Sequence, residues 1–406
     1  MSHIEKRISL FKTRHAAATE VILIGVCFVL AAPAAFAGDW SAKARFNQNV
    51  EASDNRALDP DPAGATYLFT SRVRLDAITV TPTMALELNA DLSYQNLTGP
   101  GAFQNSSPTD NSLGFKLDNK LDAITSYNFG GYWQRQDATT AQLADTGIVI
   151  VTGDINTFML EGGVNRKLNP WDSLQWSARG TVVDFSTSPG SSFTDWLTTL
   201  AWVTQATKST QLATSLQLEV VEHGEPNNTQ ALIGRLQTGF ESAFTHDLTV
   251  KGSVGAGLQR TSQDTNAFGT ADPESDISAN ALADAQIIYL PMQNSQFILS
   301  ASHWTGPNVL GQIETRTIFG AAWRQAINHL SNISLRTEYT GQLPIVDLFE
   351  DGDTGYLRAS VDYDYRLSPD WVALLSYRFA HRNDDEASAN SNTVFFSAVY
   401  ETTILP

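Results

Sequence analysis

The chain has 406 residues, with 43 acidic against 26 basic side chains and a formal net charge of −17. Such acidity argues against nucleic acid or anionic lipid headgroups as direct partners. Cys27 is the only cysteine, which excludes an internal disulfide and a cysteine-built metal site.

The chain opens with Lys6, Arg7, Lys12 and Arg14, then the apolar run from Val21 to Ala32, then Ala35-Phe-Ala37 before Gly38. A basic region, an apolar core and a small-x-small site predict a secretory signal peptide over 1–37, cleaved to leave 38–406. The alternative, a membrane anchor, asks for an apolar run of ~20 residues, longer than this one. Cys27 lies within the run behind Val26, where a lipoprotein signal would place a small residue, so the mature chain is expected to carry no cysteine.

From about Ser41 onward, stretches of roughly ten residues alternate apolar with polar, the mark of strands with two unlike faces. In the segment from Tyr356 to Tyr365, Leu357, Ala359, Val361, Tyr363 and Tyr365 share one face and Arg358, Ser360, Asp362 and Asp364 the other. No later stretch is apolar enough for a spanning helix, so a membrane protein made of this chain crosses by strands. Tight connections are expected near Val80–Thr83, Lys120–Ala123, Lys167–Ser173, Ala206–Thr210, Thr245–Asp247, Pro291–Ser295, Ala326–Ser331 and Leu367–Asp370, most of them carrying Pro, Asn, Asp or Ser. Nine longer polar loops lie between them. The fold expected is all-β: a transmembrane, antiparallel, up-and-down barrel of eighteen strands, with sixteen as the alternative count.

An even count puts both termini on one side, the periplasm in an outer-membrane barrel, with the long loops outside. Phe69, Leu160, Trp196, Leu236, Val254, Phe319, Val361 and Phe396 are among the residues expected to face lipid, and Trp and Tyr crowd strand ends as interfacial girdles do. A soluble sandwich of this size would split into domains, and a β-helix would show a short coil repeat that is absent from the chain.

Strands fourteen to seventeen are expected to line the lumen with Arg316, Arg324, Arg336, Arg358, Arg366 and Arg378. The second and third contribute Asp76, Glu87 and Asp91 beside Arg72 and Arg74. Arginines facing carboxylates make a transverse field that orients charged solutes; the plainer reading is cross-strand ion pairs that solvate the wall. Exchanging Arg316, Arg336 and Arg358 together for Ala is expected to shift selectivity toward cations. In the third outer loop the apolar strip Ile148, Val149, Ile150 and Val151 should not face water; it either folds into the lumen as a constriction or extends the wall.

Several outer loops are acidic, around Asp59 and Asp61, Asp264 to Asp276, Asp347 to Asp353 and Asp384 to Glu386. Oxygen ligands at such density could hold divalent cations that bridge to phosphate groups on the outer leaflet. None of these loops follows the twelve-residue calcium pattern, solvated acidic loops are the plainer reading, and neither a metal site nor a cofactor is expected. Catalysis is poorly supported: His223, His303 and His381 lie near separate loops, and neither Ser302-His303 nor the segment from Glu222 to Glu225 sits in a hydrolase motif.

The layout, the segments Asp362–Trp371 and Asn165–Trp171, and the closing Phe395-Phe-Ser-Ala-Val-Tyr-Glu401 resemble the porin-type outer-membrane barrels often found in proteobacterial exopolysaccharide gene clusters. The resemblance implies a passive conduit for polysaccharide or another hydrophilic solute. Its partners would be outer-membrane lipid and lipopolysaccharide, the barrel-assembly machinery, and a periplasmic polysaccharide-export protein. The alternative is a non-conducting structural or adhesion barrel whose acidic loops meet a surface partner. Such barrels usually end on an aromatic residue, whereas Tyr400 is followed here by six more residues; either Phe396, Ala398 and Tyr400 form an internal signal or the last strand continues.

Overall fold

The computed structural model describes residues 39–100, 110–145, 149, 152–187, 192–223, 229–263, 274–344, 354–383 and 387–405. The leader, most of the acidic loop segments, Ile148, Ile150 and Val151 lie outside the described residues.

The strands run β1 (Trp40–Ser53), β2 (Thr66–Val80), β3 (Met84–Thr98), β4 (Asp110–Lys120), β5 (Thr125–Asp137), β6 (Asp154–Lys167), β7 (Asp172–Phe185), β8 (Phe193–Gln205) and β9 (Thr210–His223). They continue as β10 (Thr229–Ala243), β11 (Leu248–Gln263), β12 (Glu274–Met292), β13 (Ser295–Pro307), β14 (Ile313–Ala326), β15 (Ser331–Pro344), β16 (Thr354–Arg366), β17 (Trp371–Asn383) and β18 (Ser388–Leu405). Each pairs antiparallel with the next, and β1 pairs with β18 from Ser53 opposite Thr393 to Ala42 opposite Leu405. Closure pairs every strand with two neighbours, as a span through lipid demands because nothing there can satisfy an open backbone N–H, while the long-loop ends of β3 beyond Asp91 and of β12 before Ala283 run past their β4 and β13 partners. The last strand does continue past Tyr400, as far as Leu405.

All eight tight connections fall where the turn chemistry places them. Asn169 Oδ1 accepts from the N–H groups of Trp171 and Asp172 at 2.8 and 2.9 Å. Asp122 Oδ1 accepts from Ile124 and Thr125 at 2.8 and 2.7 Å, and these donors, Ile124 first, hold its carboxyl below the usual carboxylate range. Such side-chain acceptors replace ladder partners the turn cannot supply.

The alternation sorts side chains as a barrel in lipid requires. Along β18, Ala389, Ser391, Thr393, Phe395 and Ser397 are buried, while Val394 and Phe396 project outward. Trp196, Leu218, Leu236, Val254 and Phe319 are likewise exposed on the outer face. Near the turn rim Trp371 packs on Tyr400 with ring centroids 5.0 Å apart, part of an interfacial girdle.

Leu236 and Gln237 are neighbours on opposite faces at the middle of β10. Leu236→Arg should therefore lower stability in vesicles by about 2–4 kcal/mol, and Gln237→Arg by much less. Urea unfolding of both variants checks this, and equal losses would contradict the assigned facing.

Candidate functional site

Between β5 and β6 the chain leaves the wall as a short helix, α1 (Ala138–Asp145), which lies inside the barrel. The start is set by Asp137, whose Oδ2 accepts from the backbone N–H and the hydroxyl of Thr140 at 2.8 and 2.9 Å, an N-cap for the orphan donors of the first turn. The Ala138 N–H donates to Gly153 O at 2.8 Å and closes the excursion at its base.

Inward positions of the wall are mostly polar, yet near the long-loop rim Ile155, Val183, Phe193, Val221 and Ala231 form a buried apolar patch with Ala138 and Ala141. The helix is the cover of that patch. Its alanines bring the helix backbone close to the wall, and burying this surface supplies the drive that eight residues of modest propensity lack.

Polar contacts then pin the carboxyl end. Arg316 donates to both oxygens of Asp145, at 2.5 and 3.0 Å, and the Val309 N–H donates to Asp145 Oδ2 at 2.6 Å. Arg316 is itself buried, pairs also with Glu314, and lies over the Trp304 ring. Arg358 donates to Ala144 O at 2.7 Å, to Glu338, and lies over Tyr356. Two guanidinium groups thus meet the negative end of the helix, where the last carbonyls have no intrahelical donors.

Two more loops complete the frame. Leu58, in the left-handed region at φ 53°, is buried against Tyr356 and Ala389 with Leu143 alongside. Arg56 pairs with Glu51 at 2.6 Å and donates to Thr140 Oγ1 at 3.2 Å. Between β13 and β14, Asn308 Oδ1 accepts from the N–H groups of Leu310 and Gln312, and Gly311 takes φ 78° beside His223 and Phe193. A Cβ there would lie 2.6 Å from His223 Nε2. Gly311→Ala should therefore displace this turn and cost more than about 1 kcal/mol. Limited proteolysis would show it as faster cleavage near residue 310, and unchanged protection would contradict the packing. Below the turn, Arg235 donates to Glu219 at 2.5 Å and to Thr305 O at 2.6 Å.

The predicted arginines separate into three groups. Arg316 is a structural anchor for α1. Arg324 and Arg366 sit near the turn rim on β14 and β16. Arg336, Arg358 and Arg378 gather on adjacent strands, with Arg336 and Arg378 both opposite Ser360. They line a cavity of about 410 Å³ beside the helix, together with Glu51, Arg56 and Leu143. Arg378 stacks over Phe395 at 4.0 Å, and neither Arg336 nor Arg378 has a carboxylate partner among the described residues. Among the described residues, these two charges line the cavity with no carboxylate to neutralise them.

Further round the wall, on β2 and β3, Asp76 pairs with Arg74 at 3.0 Å and Asp91 with Arg72 at 3.3 Å, while Arg72 also reaches Asp110. Two of the three predicted acidic residues are thus answered by their own neighbours. A field directed from them at the arginines is correspondingly weakened. Glu87 lies opposite Lys116, which pairs with Asp118. Of the apolar strip, only Val149 is described, half-buried; the described part of this loop that enters the lumen is α1, which precedes the strip.

The fold is that of an outer-membrane porin-type β-barrel. The chain is similar to OccK2 (OpdF) of Pseudomonas aeruginosa at 10% identity and a TM-score of 0.51, over 91% of this chain and 99% of that one. It is similar also to OccAB4 of Acinetobacter baumannii, at 12% identity and 0.50 over 90% and 98%, and to OpdQ of P. aeruginosa, at 10% and 0.50 over 90% and 99%. At these identities the likeness is one of fold. No family model matches the chain, and no curated protein does.

Proposed function

We propose that the protein is an outer-membrane diffusion channel for small hydrophilic solutes, with α1 setting the width of the passage and Arg336, Arg358 and Arg378 favouring anions. The observation that carries this reading is the pinned helix beside an open, arginine-lined cavity: a lumen meant only to be filled would not leave unpaired guanidinium groups facing water. Conduction needs sites that attract a solute without holding it, and solvated arginines at a constriction meet that condition.

In this reading the signal peptide is removed on export, the tight turns and both termini face the periplasm, and the long loops face outward among lipopolysaccharide. Insertion falls to the barrel-assembly machinery. A polysaccharide chain, the solute implied by the family resemblance, would have to pass the same helix-narrowed gap, in concert with a periplasmic export protein.

Liposome swelling tests the reading. Vesicles carrying the mature protein should swell in isosmotic solutions of small organic anions faster than in those of size-matched cations. Swelling no faster than protein-free vesicles would overturn it and favour a closed structural or adhesion barrel.

A further inference from the structure

The strand register brings together a second feature, at the turn-side half of the lumen and on the wall away from the arginines. Two successive inward rungs there carry no formal charge. The first runs Asn128, Gly163, Ser177, Thr199 and Gln217 across β5 to β9. The second runs Ser126, Asn165, Gln175, Ala201, Ser215 and Gln237 across β5 to β10. Charged positions border this belt, with Asp118 and Lys120 on β4 and Arg235 on β10.

Strands lie about 4.8 Å apart, so the five-strand rung spans about 19 Å of wall. A cavity of about 530 Å³ opens on it, lined by Asn128, Asn165, Gln175, Ser177 and Thr199, with Asp118 and Lys120, of opposite charge, at its β4 edge. Gly163 is what lets the Asn128 amide lie along the wall, because a Cβ there would come within 2.8 Å of Asn128 Oδ1. Asn165 Oδ1 is buried and has no hydrogen-bond partner among the described residues.

Each amide offers an acceptor oxygen and two donor hydrogens, and each hydroxyl both donates and accepts. A wall of such groups without net charge gives nothing to an ion beyond what water gives. It matches a solute whose own surface alternates donors and acceptors at close spacing. We propose that this belt is a low-affinity track for neutral polyhydroxylated solutes, of monosaccharide to trisaccharide size, distinct from the arginine group. The inference rests on the channel reading for its role in passage; binding itself does not.

The test uses maltotriose and the refolded mature protein. In planar bilayers maltotriose should interrupt the ionic current, whereas a polyethylene glycol of matched size, which has ether acceptors and no hydroxyl donors along its chain, should not. The double variant Asn128→Ala/Gln175→Ala, checked for folding by heat-modifiable mobility, should need about fivefold more maltotriose for equal block, as the loss of two neutral hydrogen bonds at the weak end of their range predicts. Equal block by the two solutes, or a variant indistinguishable from the wild type, overturns the belt. Should the barrel not conduct, calorimetric titration of the refolded protein with maltotriose decides: heat that the double variant loses supports the belt although the channel reading has failed, and absence of heat overturns it.

Discussion

Asp145→Ala should loosen α1 from the wall and turn a steady channel into one whose current fluctuates between a narrow and a wide state. The carboxylate is the shared acceptor of the Arg316 guanidinium and the Val309 N–H. Its removal leaves the N–H unpaired and a buried arginine with Glu314 as its remaining carboxylate. Losing one partner of such a buried charged group costs about 3 kcal/mol. That shifts the docked-to-undocked ratio by about a hundredfold, since each 1.4 kcal/mol is a factor of ten. The apolar seat of Ala138 and Ala141 remains, so the helix should visit the undocked state rather than abandon the wall. Single-channel recording reads this directly; a variant with wild-type mean conductance and noise would contradict the role given to Asp145.

Exchanging Arg336, Arg358 and Arg378 together for Ala should reverse the ion preference. The three removed charges leave Glu51, Glu338 and Asp362 around the same cavity, and Arg56 alone opposes them. In a narrow water-filled passage with low-dielectric walls the remaining field is focused, so the change of sign should appear as a reversal potential of opposite polarity across a KCl gradient. Arg316 does not belong in this set, although its position in the sequence alternation suggests it. It is buried against the helix and holds Asp145 through two hydrogen bonds, so its replacement would confound selectivity with loss of the constriction. Arg358 holds the helix by a single bond to Ala144 O, and the pair Arg336→Ala/Arg378→Ala, which leaves that bond in place, should shift the reversal potential in the same direction. An unchanged reversal potential in the triple variant would sink the arginine group as a selectivity element.

The barrel was largely legible because its two causes are local. A period of two sorts the faces within each strand, and residues such as Asn169, Asp122 and Ser368 mark turns by bonding to backbone only two or three positions away. Even β4 and β5, whose glycines blur the alternation, keep enough of it in Leu113, Phe115 and Leu117 to be placed. The site was less legible because its causes are distant. Asp145 meets Arg316 across 171 positions of sequence, and nothing near either residue announces the pairing.

Helix α1 leaves little trace in the sequence for a related reason: Ala-Thr-Thr-Ala-Gln-Leu-Ala-Asp has two β-branched residues in its first turn and little amphipathic character, so its helicity comes from the seat and not from itself. The signal lay on the wall. Ile155, Val183, Phe193 and Val221 are adjacent apolar residues at inward positions of a lumen that is otherwise mostly polar, and such a patch asks for a cover.

Single-channel conductance of the refolded mature protein in a planar bilayer tests the central claim most directly. The structure predicts steady steps in KCl, anion preference at low salt, and larger steps when residues 138–153 are replaced by a short turn that removes α1. Silence from protein shown to be folded, with the helix present and with it removed, would contradict the account and leave the barrel a closed scaffold.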